Sequence, residues 1–86
     1  MAFTFPATRP GDRVEVHGPD PATGIAVSAP ALSLNDAANL IAERSGPDGS
    51  WVRKGPPEPA SGNGTVYEYL TAARTWSPWQ ISWTRP

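Results

Sequence analysis

Asp12, Glu15 and His17 are the residues whose types could carry acid–base chemistry. Glu15 and His17 stand two apart, so on a strand both side chains point to the same face. A carboxylate beside an imidazole is a start toward proton transfer, which also needs a pocket and a positioned third group. The sequence names neither, and a solvated strand face accounts for the pair. The chain has no Cys and a single His. That removes a thiolate nucleophile, a disulfide scaffold, a Cys-based zinc or iron–sulfur site and a His-cluster metal site. No G-x-S-x-G elbow and no phosphate-cradling Gly-rich loop is present. The chain is therefore expected not to be an enzyme and to hold no cofactor and no metal.

Contact chemistry is better represented than reaction chemistry. Three of the four Trp fall close together near the C-terminal end, at Trp76, Trp79 and Trp83. Trp is favoured at binding hot spots because it buries a large area with little rotamer loss. Trp79 and Trp83 alternate with polar residues and read as core. Trp76 follows Arg74-Thr75 and precedes Pro78, and is the one expected to be exposed. Trp51, Tyr67 and Tyr69, with Arg53 and Arg74, complete the expected partner-binding set of Trp76, Trp51, Tyr67, Tyr69, Arg74 and Arg53. Arg53 also opens an R-x-x-P-x-x-P spacing with Pro56 and Pro59, the pattern of segments that dock in aromatic grooves. In a chain with 11 Pro it reads as a stiffened loop.

Charge narrows the partners. Seven basic and eight acidic residues give a net charge of −1. Nucleic-acid binders normally carry a basic stripe, and membrane-surface binders a polybasic cluster, so both are disfavoured. No apolar run approaches the roughly 20 residues that span a bilayer. The first residues lack a charged region followed by an apolar one, so no signal peptide is expected. A cytoplasmic or virion-associated location follows as the expectation. All but one of the basic residues are Arg and Ala is the commonest residue, a bias that fits a GC-rich bacterium or one of its phages.

The elements that must position these residues are short. Residues 1–12 contain Pro6, Pro10 and Gly11 and read as an extended N-terminal arm, anchored by Phe3 and Phe5. Residues 13–17 alternate strictly and predict a strand with Val14 and Val16 inward. A Pro/Gly turn cluster follows. Residues 24–28 alternate again and predict a second strand with Ile25 and Val27 inward, stopped by Pro30. Ser33 and Asp36 have capping-box spacing ahead of Leu34, Ala37, Ala38 and Ile41, which share one helical face. Gly46-Pro47 ends that helix, which is predicted over 34–45. Residues 50–54 predict a short strand, and 55–64 a mobile Pro/Gly loop. Residues 65–71 are rich in β-branched and aromatic residues and predict a strand of ambiguous facing. In the final segment Trp79, Ile81 and Trp83 alternate with Gln80, Ser82 and Thr84, which favours a strand over the helix start that Ser77-Pro78 would also fit.

The chain is thus expected to be one α+β domain over residues 1–86. A mostly antiparallel sheet of about five strands, in the order β-β-α-β-β-β, carries one helix on one face. With so little catalytic chemistry, the expected function is a small protein-interaction module. It would be a phage accessory or structural protein that contacts a partner or its own copies through the Trp-rich C-terminal segment and Pro-rich loops. Two alternatives stay open. One is a small nucleic-acid-binding regulator that groups Arg13, Arg53, Lys54 and Arg74 beside exposed aromatics. The other is a small-molecule binding domain with a pocket lined by Trp51, Tyr67 and Tyr69.

Overall fold

A computed structural model describes residues 3–60 and 62–86. Its elements are β1 (Arg13–Pro19), β2 (Ala26–Ala31), α1 (Leu34–Ser45), β3 (Ser50–Lys54), β4 (Thr65–Leu70) and β5 (Trp76–Thr84). The five strands form one sheet in the order β2-β1-β5-β4-β3, and every neighbouring pair is antiparallel. The α+β architecture expected from the sequence is the one observed. The first and last strands, β1 and β5, lie side by side in the middle. β2 and β3 are the two edges, joined by α1 crossing over one face.

The helix begins where its cap dictates. Ser33 is extended, and its side chain accepts the Asp36 backbone N–H at 3.1 Å. A second free donor at that end, the Leu34 N–H, goes to Thr8 Oγ1 at 3.0 Å and ties the N-terminal arm to the helix. Gly46 closes the helix with φ 99°, a conformation that other residues adopt only with strain, and its N–H returns to the Ala42 carbonyl at 2.8 Å.

Leu34, Ala37, Ala38 and Ile41 form the buried face of α1. The sheet face beneath them carries Val14 and Val16 of β1, Trp79, Ile81 and Trp83 of β5, and Tyr67 and Tyr69 of β4. The helix sits over β1 and β5, and Phe5 of the arm covers the β4 side. One approach is close enough to require glycine. A Cβ on Gly18 would lie 2.3 Å from the Trp79 ring, so the bare Gly18 backbone gives that indole its seat.

The second strand departs from the sequence expectation. It starts at Ala26 and runs through Pro30 to Ala31, and Ile25 and Val27 are 66% and 40% exposed rather than inward. Alternation identified the strand but not its place. As the sheet edge, displaced from the helix, β2 has nothing above Val27 to bury it. Pro30 does not stop the strand, because its missing N–H would face away from β1. The Asp20 N–H bonds to the Ile25 carbonyl at 2.8 Å, and antiparallel pairs alternate in bonding. This makes Val27, Ala29 and Ala31 the residues that exchange bonds with β1, and leaves Pro30 on the outward side.

The 55–64 loop is held at several points. Pro59 is buried, the Thr65 hydroxyl donates to the Pro56 carbonyl, and Ala60 pairs with Asn63. Ser61 lies outside the described residues.

Candidate functional site

A concavity lies on the helix side of the sheet, between the N-terminal arm, one flank of α1 and the start of β3. It encloses about 510 Å³. Phe3, Phe5, Trp51 and Tyr69 form its aromatic walls, and Asn35 and Asn39 stand at its rim. No charged side chain lines it. The volume falls within the range of pockets that hold drug-sized molecules or short peptide stretches.

Each wall is placed by a local cause. Trp51 is the second residue of β3 and pairs with Tyr69 across the strands, so both indole and phenol rise from the same face. Their ring centroids are 4.6 Å apart. Phe5 meets Trp51 edge-on at 5.4 Å and Tyr67 at 5.0 Å. Phe3 packs against Phe5 at 4.8 Å and remains 45% exposed. Asn35 and Asn39 are four apart on α1 and therefore neighbours on one helix flank, about 6 Å apart. Both residues are exposed, and neither amide has a hydrogen-bond partner among the described residues. An aromatic surface beside two free amides can take a ring on its face and bond that ring's polar edge.

The six residues expected to bind a partner do not form one surface. Trp51 lines the groove and is half-buried. Tyr67 and Tyr69 are each 1% exposed, so they are core residues rather than an exposed patch. Both face the helix side, where α1 and the arm cover them. Burial pushes the Tyr67 phenol above its ordinary pKa, opposed by the nearby Arg53 guanidinium. The Tyr69 hydroxyl donates to the Gly46 carbonyl and accepts the Gly49 N–H at 2.8 Å, which fixes the turn at the groove's rim. Arg53 is exposed and donates to the Gly55 carbonyl of its own loop. Trp76 is 56% exposed and pairs with Leu70 at the β4–β5 turn, beside Arg74, whose φ is 66°. The register sets this turn at the opposite end of the sheet from Lys54. Arg74 therefore stands apart from Arg13, Arg53 and Lys54, and Lys54 is paired with Glu68 at 2.7 Å.

The acid–base candidates separate as well. His17 lies on the sheet face away from the helix. Its Nδ1 meets Ser28 Oγ at 2.7 Å and its Nε2 meets Ser82 Oγ at 2.8 Å. Glu15 pairs with Ser82 on the same open face. These are the third groups that the sequence left unnamed, but His17 lines neither of the two described cavities. Asp12 holds the arm and the C-terminal residues together instead. Its carboxylate accepts the Arg9 backbone N–H at 2.9 Å, the Trp83 indole N–H at 3.0 Å and Arg85 Nε at 3.0 Å. Burial raises its pKa, but these bonds and the Arg85 charge outweigh burial and hold the carboxyl below its ordinary value.

Nothing in the sequence singles out Asn35 and Asn39 as site residues, because they lie off the apolar face of α1. Their i, i+4 spacing was visible. The arm that turns this flank into a groove wall was not. No group of three or more metal-ligating side chains occurs among the described residues. None of the described helices is long and apolar enough to cross a membrane.

No protein-family model, curated protein or solved structure matches this chain.

Proposed function

We propose that this chain is a non-enzymatic protein-interaction module whose working surface is the groove between the arm, α1 and β3. The occupant is an uncharged extended segment of a protein partner that brings a proline or aromatic ring against Trp51 and a backbone carbonyl to the Asn35 or Asn39 amide. The observation that carries this reading is the groove's lining: aromatic walls, two exposed amides and no charged side chain. Charged ligands would find no counter-charge there, whereas ring-bearing neutral segments are the ones that aromatic grooves receive.

The test is a titration of the labelled protein with sets of short peptides, uncharged proline- and aromatic-containing, acidic and basic, followed by amide NMR. Saturable shifts at Trp51, Asn39 and Gly49 with the uncharged set are the expected result. No response to any set at millimolar concentration would overturn it.

The cavity volume also favours a second reading, a small neutral ring compound in the same groove. A small-molecule screen read by tryptophan fluorescence distinguishes it: saturation by a compound, with none by peptides, selects that reading. The nucleic-acid alternative draws less support, because Arg74 stands at the other end of the sheet from Arg13, Arg53 and Lys54, Lys54 is paired with Glu68, and the groove carries no positive side chain.

A further inference from the structure

A second surface stands apart from the groove, at the β2 edge. Residues 21–30 are all exposed. No charged residue occurs between Asp20 and Asp36. Ile25, Val27 and Leu32 are 66%, 40% and 92% exposed, half of the exposed large hydrophobic residues described. Sheet edges are normally guarded by charge, shortness or a covering element, because their unpaired N–H and C=O groups accept another strand. The opposite edge, β3, follows that practice with Arg53 and Lys54 in five residues. The β2 edge has only Pro30.

The bonding parity shows what that edge offers. Val27, Ala29 and Ala31 exchange their bonds with β1, so Ala26, Ser28 and Pro30 face outward. Two outward N–H groups, of Ala26 and Ser28, and three outward carbonyls are available. A two-fold axis at Ser28 uses both donors. Ser28 then bonds in both directions to the Ser28 of the other copy, and each Ala26 N–H meets the opposite Pro30 carbonyl. Pro30 gives that pairing its carbonyl alone, so the opposite Ala26 carbonyl goes without a donor and the dimer rests on four main-chain bonds.

We propose that β2 is the dimer edge of this protein and that its partner is the β2 strand of a second copy, joined antiparallel into a ten-stranded sheet. Charge argues for a copy of itself. Self-pairing places each surface against its own kind, and a segment with no charged residue between Asp20 and Asp36 meets no like-charge repulsion in doing so. It also covers Val27 and Ile25, which the helix leaves bare.

Sedimentation velocity over a concentration series on the full chain tests this. The expected result is a shift from the 9.1 kDa monomer to twice that mass, with slowed exchange of the Ala26 and Ser28 amides in the dimer. Val27→Lys puts two like charges beside the axis and keeps the chain monomeric. Ala26→Pro removes one donor from each copy and weakens the dimer at least tenfold. Far-UV circular dichroism confirms that both variants fold. Trp51→Ala leaves the dimer intact, so failure of the groove reading does not imply failure of this one. A wild-type chain that stays monomeric at millimolar concentration overturns the proposal. So does a dimer that both edge variants form as tightly as wild type, or a monomer that pairs its edge only with a strand from another protein.

Discussion

The indole N–H of Trp83 donates to Oδ2 of Asp12 at 3.0 Å, although the two residues lie 71 positions apart. This bond links the arm to the last strand through the largest buried side chain of the core. Oδ1 of the same carboxylate holds Arg85 Nε at 3.0 Å, and the Arg85 guanidinium lies 5.0 Å from the Trp83 ring centroid. Arg85 also reaches Glu58, which in turn meets Arg9, each at 3.5 Å. Two carboxylates thereby fasten the structure: Asp12 ties the arm and Arg85 to the sheet, and Glu58 joins the 55–64 loop to both arginines. The Asp12 and Arg85 side chains are 2% and 14% exposed.

Asp12→Asn is expected to destabilise the fold by about 3 kcal/mol, the scale for removing one partner of a buried ion pair. The amide keeps the shape but loses the nearer of the two charges that face Arg85. Urea unfolding of the two proteins measures the difference. A loss under about 0.5 kcal/mol, the size of an ordinary surface change, would show that the clasp is incidental.

The same carboxylate predicts an acid limb in stability. Its folded pKa lies below the ordinary value of 3.8, so the folded state holds the ionised form more tightly than the unfolded chain does. The contribution is fully present above about pH 4 and is lost as pH falls through the depressed folded value. Urea midpoints measured from pH 6 to pH 2 should fall more steeply for the wild type than for Asp12→Asn below pH 4. Parallel curves would refute this assignment.

Most of the fold was legible because its signals are local. The Ser33 cap and the Gly46 stop bound the helix at the predicted residues, since both act through bonds within one turn. The Trp79, Ile81 and Trp83 alternation marked β5 and its buried face. What failed was information about neighbours. The 25–27 alternation looks the same on an edge strand as on a central one, and only the pairing of β1 with β5 pushes β2 outward. Tyr67 and Tyr69 alternate with Val66 and Leu70, so sequence alone left the core face undecided until α1 and the arm chose it. The groove was half visible: Trp51 and Tyr69 were named, but Asn35 and Asn39 needed the arm beside them. Asp12 stood out only as an acid near His17, since its partners Trp83 and Arg85 lie 71 and 73 positions away.

Gly18→Ala is expected to cost about 1–3 kcal/mol, the range for overpacking a filled core. Its Cβ would lie 2.3 Å from the Trp79 ring, and Trp79 is held from the other side by the Arg44 guanidinium at 4.3 Å. Thermal unfolding with near-UV circular dichroism checks this, because the displaced indole also alters the aromatic signal. An unchanged midpoint would mean that Trp79 repacks freely.

Tyr69→Phe removes one hydroxyl that serves two backbone groups, the Gly46 carbonyl and the Gly49 N–H. Both groups are only partly buried, so losing the bonds is expected to cost about 1 kcal/mol, the lower end of the scale for unpartnered polar groups. The effect should concentrate in the 46–49 turn, since the ring itself is retained. Amide exchange at Gly49 is therefore expected to accelerate more than exchange at Ile81. Equal acceleration at both sites would point to global loosening instead.

Trp51 and Trp76 should behave oppositely, because one is a wall and the other is free. Trp51 touches Phe5 and Tyr69 and is half-buried, so Trp51→Ala should cost both stability, by about 2 kcal/mol of lost aromatic burial, and any binding in the groove. Trp76 is mostly exposed at the far turn, so Trp76→Ala should change stability by less than about 0.5 kcal/mol and leave groove binding intact. Conservative Trp51→Phe separates folding from contact: it restores much of the packing while shrinking the surface offered to a ring. Denaturant midpoints with peptide titrations on all three variants decide the matter. Binding that survives Trp51→Ala but disappears in Trp76→Ala would move the working surface to the β4–β5 turn.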